Sequence, residues 1–122
     1  MTNQSRVLVP AGTVMAVSAS YDVDMPFGKG VRVYLVTTAE AGTSTLDLKV
    51  QSYNAASGTF VDIPGASLAQ MSATGTGTLT IYPGIAETAN VSVSDAVGRR
   101  IRIVVTLGGT SFTGSIGVDV LI

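Results

Sequence analysis

The residues that could do chemistry fall into a few small groups. Asp22 and Asp24 stand two apart, which puts both carboxylates on one side if that segment is a strand. Arg99, Arg100 and Arg102 form a short basic cluster near the C-terminus. On a strand, Arg100 and Arg102 share one face, Arg99 points the other way, and Ile101, Ile103 and Val105 turn to a core. Tyr21, Tyr34, Tyr53 and Tyr82 are the tyrosines. Glycine gathers at Gly28-Lys29-Gly30 and at Gly75-Thr76-Gly77.

Each group has a chemical reading and a plainer one. Two Asp offer a calcium ion two oxygens, where such sites draw on a dense set of oxygen ligands; the plainer reading is a solvated strand face. Any two of the eight acids could serve glycoside hydrolysis, but no local motif selects a pair. Guanidinium groups at 100 and 102 could grip a partner subunit's carboxylates or a phosphate, since Arg binds both in bidentate fashion; otherwise they are an exposed strand face. The tyrosines could stack a sugar ring, yet Tyr is common in strands regardless, and Trp is absent. Gly28-Lys29 is followed by Gly30, not by the hydroxyl residue and helix a phosphate-cradling loop requires.

What is missing narrows the field further. The chain has no Cys and no His. Zinc sites draw on those two residues, and triads of the Ser-His-Asp or Cys-His type need an imidazole base. Catalytic, cofactor-binding and metal-ligating residues are therefore all expected to be absent, and the chain is not expected to be an enzyme. Net charge is −1 and the aromatics make up 6%, which argues against a nucleic-acid partner, because that binding rests on a broad basic patch. No run approaches the ~20 apolar residues of a membrane helix, so no membrane partner is expected. The start, Met1-Thr2-Asn3-Gln4-Ser5-Arg6, lacks the features of a secretory leader. The sequons at Asn3 and Asn90 carry no weight without one.

The 122 residues fit one domain. Charged residues are 12% of the chain and mean hydropathy is +0.46, against a usual charged share of roughly 25%. Polarity comes instead from 15 Thr and 12 Ser. A hydroxyl-rich surface with few charges is poorly protected against association, which suggests that neighbours in an assembly cover much of it.

The elements that must position these groups are strands. Val31-Arg32-Val33-Tyr34-Leu35-Val36-Thr37-Thr38 is β-branched and aromatic; Leu46, Leu48 and Val50 alternate with Asp47, Lys49 and Gln51. Leu79-Thr80-Ile81-Tyr82, the run 100–107 and the run 112–122 repeat the pattern, which places one face on a core and the other in water. A Gly-containing loop at 54–58 joins 46–53 to 59–63 as a hairpin. Gly108-Gly109 joins the last two long strands, where both glycines can take φ > 0. Pro64-Gly65 and Pro83-Gly84 read as turns. Residues 66–71 form a helical turn or an irregular bridge between sheets, residues 85–97 a loop entering a short strand at 91–93, and residues 74–78 a flexible low-complexity stretch. The expected fold is all-β: an antiparallel, jelly-roll-like β-sandwich over residues 11–122. Residues 1–10 form an N-terminal arm or edge strand. Its Arg6, Val7, Leu8 and Val9, with Arg100 and Arg102, are the candidate assembly contacts.

The order of segments Leu46-Asp47-Leu48-Lys49-Val50-Gln51, Thr59-Phe60-Val61-Asp62-Ile63-Pro64-Gly65-Ala66, Thr78-Leu79-Thr80-Ile81-Tyr82-Pro83-Gly84-Ile85 and Arg100-Ile101-Arg102-Ile103-Val104-Val105 resembles small structural proteins of tailed bacteriophages. The resemblance covers the chain from about Val31 to its end. It implies a virion protein made in the host cytoplasm: a capsid decoration (cement) protein on the outer head surface, whose partners are the major capsid protein and copies of itself, as a homotrimer. The alternative it implies is a head-fibre or tail-associated adhesive module that binds host-surface glycan.

Overall fold

The computed structural model describes residues 4–26 and 28–122. The first three residues of the expected arm, the sequon at Asn3 and Phe27 beside the Gly28-Lys29-Gly30 stretch lie outside the described residues. Within them the chain forms strands and no helix. The strands are β1 (Gln4–Met15), β2 (Ala19–Asp24), β3 (Gly30–Ala41), β4 (Thr45–Asn54), β5 (Thr59–Ser67), β6 (Gly75–Ile81), β7 (Ser92–Val93), β8 (Arg100–Gly108) and β9 (Ser111–Leu121).

Two sheets pack face to face. Sheet one has the order β1-β9-β3-β6-β7, and sheet two β2-β8-β4-β5. With the two-residue β7 set aside, first pairs with last (β1 with β9), second with second-last (β2 with β8), then β3 with β6 and β4 with β5, all antiparallel. This is one long hairpin rolled onto itself, the jelly roll. β7 adds a short parallel pair to β6.

Period-2 alternation explains the core. On β3, Val31, Val33 and Leu35 are buried while Arg32, Tyr34 and Val36 are not. Leu46, Leu48 and Val50 of β4 and Ile101, Ile103 and Val105 of β8 face them from sheet two. Phe112, Ile116 and Val118 of β9 and Leu79 and Ile81 of β6 complete the layer, so the inner faces interdigitate into a single core.

Several sequence expectations change in the structure. The stretch 74–78 is not a loose low-complexity segment: from Gly75 onward it is β6, with Gly75, Thr76, Gly77 and Thr78 opposite Thr37, Val36, Leu35 and Tyr34. Backbone hydrogen bonds are indifferent to its simple side chains, and the buried Thr37 hydroxyl accepts the Gly75 N–H at 3.0 Å. Pro64-Gly65 does not end a strand. It is a bulge inside β5, where the step from Asp62 to Ser67 faces the step from Gln51 to Lys49, and Gly65 takes φ 74°. Gly108-Gly109 is not a hairpin turn, because β8 and β9 lie in different sheets; of the two, Gly109 has positive φ. Residues 68–71 are the irregular bridge: Leu68 N–H donates to Leu48 O, and Met71 exchanges two backbone bonds with Leu46.

Ser44 locks that end of the roll. It is fully buried in the β3–β4 crossover. Its hydroxyl donates to Ala41 O at 2.8 Å and accepts the N–H groups of Thr110 and Ser111, at 2.9 and 3.1 Å, from the β8–β9 crossover.

Candidate functional site

Two surfaces stand out: the outer face of sheet two and the free margin of sheet one. Antiparallel register builds the first. Asp22 lies opposite Arg102 and Asp24 opposite Arg100, while Arg102 is also opposite Gln51, and Gln51 opposite Asp62. One row thus crosses the sheet as Asp22, Arg102, Gln51, Asp62. Arg102 grips Asp22 with two bonds, Nε to Oδ1 at 2.7 Å and an Nη to Oδ2 at 3.2 Å. Gln51 donates to Asp62 at 2.8 Å, and Lys49 pairs with the same carboxylate at 3.0 Å. In the next row Arg100 Nε meets Asp24 Oδ1 at 3.0 Å.

Aromatic rings interleave with these charges. The Arg102 guanidinium sits 3.8 Å over the Phe60 ring and that of Arg100 5.4 Å over Tyr53, in the cation–π range. Tyr53 and Phe60 are themselves a tilted pair 5.2 Å apart. The guanidinium hydrogen bond, then the nearby positive charges of Arg102 and Arg100, hold the Asp22 carboxyl below its ordinary 3.8. The Gln51 and Lys49 hydrogen bonds do the same for Asp62. Both arginines are pushed up by their carboxylate partners.

The sequence placed Asp22 with Asp24 and Arg100 with Arg102, each on one face, and the structure brings the two pairs together. Of these candidate contacts for another subunit, Arg102 is bound by Asp22 through two nitrogens, while Arg100 meets Asp24 through Nε alone. Among the described residues no cluster of three or more potential metal ligands occurs. The tyrosines do not form a common platform. Tyr21 packs against the core, Tyr34 donates to Asp119 at 3.0 Å, Tyr53 lies on the far sheet, and Tyr82 donates to the Ile122 carbonyl at 3.4 Å.

At one end of this face is an open cleft of about 810 Å³ lined by Asp24, Pro26, Tyr53, Ala55, Arg99 and Arg100. Its residues come from three separate stretches of chain, so no local motif announces it. The nearest sequence signal is the matched spacing of Asp22/Asp24 with Arg100/Arg102.

The second surface is β1. It runs through Pro10 and pairs with β9 from Gln4 opposite Val120 to Met15 opposite Phe112. Two register shifts interrupt it, between Val7 and Val9 and between Val9 and Thr13, and Gly12 takes φ 84° within the second. These bulges let one strand carry Pro10 and still turn both Val9 and Met15 into the core. The four candidate contacts of this segment therefore separate. Val7 is 74% exposed. Leu8 is half-buried against the core. Arg6 is half-buried and donates to Gln4 Oε1 at 2.8 Å. Val9 is 3% exposed, its side chain packed in the core. Ser5 ties the strand to β9 through Asp119 at 2.7 Å.

β1 has a neighbour on one side alone. Proteins usually blunt such edges with charge, proline, bulges or shortness. β2 carries Asp22 and Asp24, β5 carries Pro64 and a large bulge, and β7 is two residues long. In β1 the register shifts and Pro10 begin after Val7, and the regular part ahead of them, residues 4–7, has Arg6 as its single charge.

The fold is that of a jelly-roll β-sandwich. Comparison with protein-family models, with curated proteins and with solved structures found no match.

Proposed function

We propose that this chain is a structural, non-enzymatic component of a tailed-phage particle: a decoration protein on the outer surface of the head, with the major capsid protein and copies of itself as partners. The observation that carries the reading is the free edge of β1. Its unpaired backbone N–H and C=O groups are a template for strand addition, in which main-chain hydrogen bonds give affinity and side chains give register. Val7, Val14 and Val17, at 74%, 61% and 74% exposure, add apolar area beside that edge. Such area is worth roughly 25 cal/mol per Å² when water leaves it, less the cost of association. Repetition over a symmetric shell multiplies a modest net gain.

The paired charges of sheet two support the same reading. The row Asp22, Arg102, Gln51, Asp62, satisfied within the chain, can stay exposed on a particle surface without seeking partners. Electron microscopy of purified particles with gold-labelled antibody tests the proposal. Labels spread over the head are expected. Labels confined to the tail tip would replace it with the adhesive-module reading, and particles without label would end both.

A further inference from the structure

We infer that the cleft at the end of sheet two binds a carboxylated saccharide. Its frame is fixed from several sides. The Met25 N–H donates to the Arg99 carbonyl at 2.6 Å, and the Gly98 N–H donates to Ser52 Oγ at 3.3 Å. Ser52 also lies where any side chain at position 98 would have to go, so the approach to β8 packs tightly on β4. Arg100 is oriented twice, by Asp24 at its Nε and by the Tyr53 ring.

That orientation leaves the groups a ligand would use. Among the described residues the terminal nitrogens of Arg100 and the whole guanidinium of Arg99 meet no partner. Asp24 gives Oδ1 to Arg100 and keeps Oδ2 open, its side chain 74% exposed. Two guanidinium groups and one carboxylate leave the cleft one positive charge in excess. Pro26, Ala55 and Tyr53 add apolar lining.

The donor set selects the chemistry. Guanidinium groups bind a carboxylate with charge-assisted, geometrically matched hydrogen bonds. An open Asp oxygen accepts hydroxyls and repels further negative charge, so it favours a ring that carries one carboxylate among several hydroxyls over an acidic peptide. The apolar wall suits the C–H face of such a ring. At about 810 Å³ the cleft lies within the usual range for ligand sites, and its openness suits a chain of sugars passing across it.

The test is an amide-resolved NMR titration of the full chain with a trimer of galacturonic acid. A neutral galactose trimer, hexaglutamate and sodium sulfate serve as parallel probes. Saturable shifts are expected at Ala55, Gly98, Arg99 and Arg100, with affinity at least about tenfold tighter for the acidic trimer than for any other probe. Arg99→Ala and Ala55→Glu, both at exposed positions, should each weaken it by about tenfold or more, the scale of one charged contact. No shifts in the cleft, equal binding of hexaglutamate or sulfate, or affinity unchanged in both variants would overturn the inference. Neither substitution touches β1, so sugar binding and particle attachment are separate readouts.

Discussion

The two sheets end in different ways. Sheet two closes on β2, whose Asp22 and Asp24 are bound by Arg102 and Arg100 of the neighbouring strand. Sheet one closes on β1, whose exposed side chains include Val7 and Val14. Both margins rest on the same core and both are paired along their inner side. They differ in what remains for a stranger. At β2 the acids are tied to the neighbouring strand, Asp22 through both oxygens and Asp24 through one. At β1 a row of backbone groups is open, with little charge to deter pairing. In a chain so poor in charge, where the few ion pairs are placed sets the two margins apart.

The largest expected effect comes from breaking the support common to both margins. Phe112, fully buried, lies opposite Met15 of β1. Phe112→Ala should cost about 3–5 kcal/mol and Ile103→Ala, on β8 opposite Tyr21 of β2, about 2–5 kcal/mol, read by denaturant unfolding. Comparable losses would show one cooperative core; a sheet-one transition that separates from the rest would break the comparison. Ser44→Ala comes next. It leaves the buried Ser111 N–H and the part-buried Thr110 N–H without their acceptor, at about 1–3 kcal/mol.

Val7→Lys should leave monomer stability within about 0.5 kcal/mol while cutting attachment to particles by tenfold or more, because an edge lysine opposes strand addition. Particle-binding isotherms with purified chain measure it. The smallest effect is at the two margins of sheet two, β2 and β5. Asp22 and Asp62 titrate lower in the folded chain than in the unfolded one. Their contribution is present above the ordinary value of 3.8 and is lost as pH falls through the folded values. Stability should therefore decline modestly below about pH 4, and Asp22→Asn should flatten part of that decline without moving the curve near neutrality.

Where alternation was strong, the sequence was readable. β3, β4, β8 and β9 each carry a period-2 pattern long enough to define both faces. β1 and β2 were harder for different reasons. Pro10 and Gly12 look like breaks, and it takes the bulges against β9 to make them part of a strand that reaches Met15. β2 has few apolar residues, and its identity comes from pairing with β8. The Gly-Gly at 108–109 marks a reversal correctly, but no local feature tells whether the chain returns to the same sheet or crosses to the other. The charge pairs could have been guessed from equal spacing at 22/24 and 100/102. The cleft could not, since Asp24, Tyr53 and Arg99 meet through tertiary register alone.

Hydrogen exchange along β1 tests the central claim most directly, measured on the free chain and on the chain attached to particles. The outward-facing amides between Gln4 and Val9 should exchange quickly in the free chain and become strongly protected on the particle, with the cleft residues little changed. Equal exchange of β1 in both states, on particles that carry the chain at full occupancy, would contradict attachment through this edge.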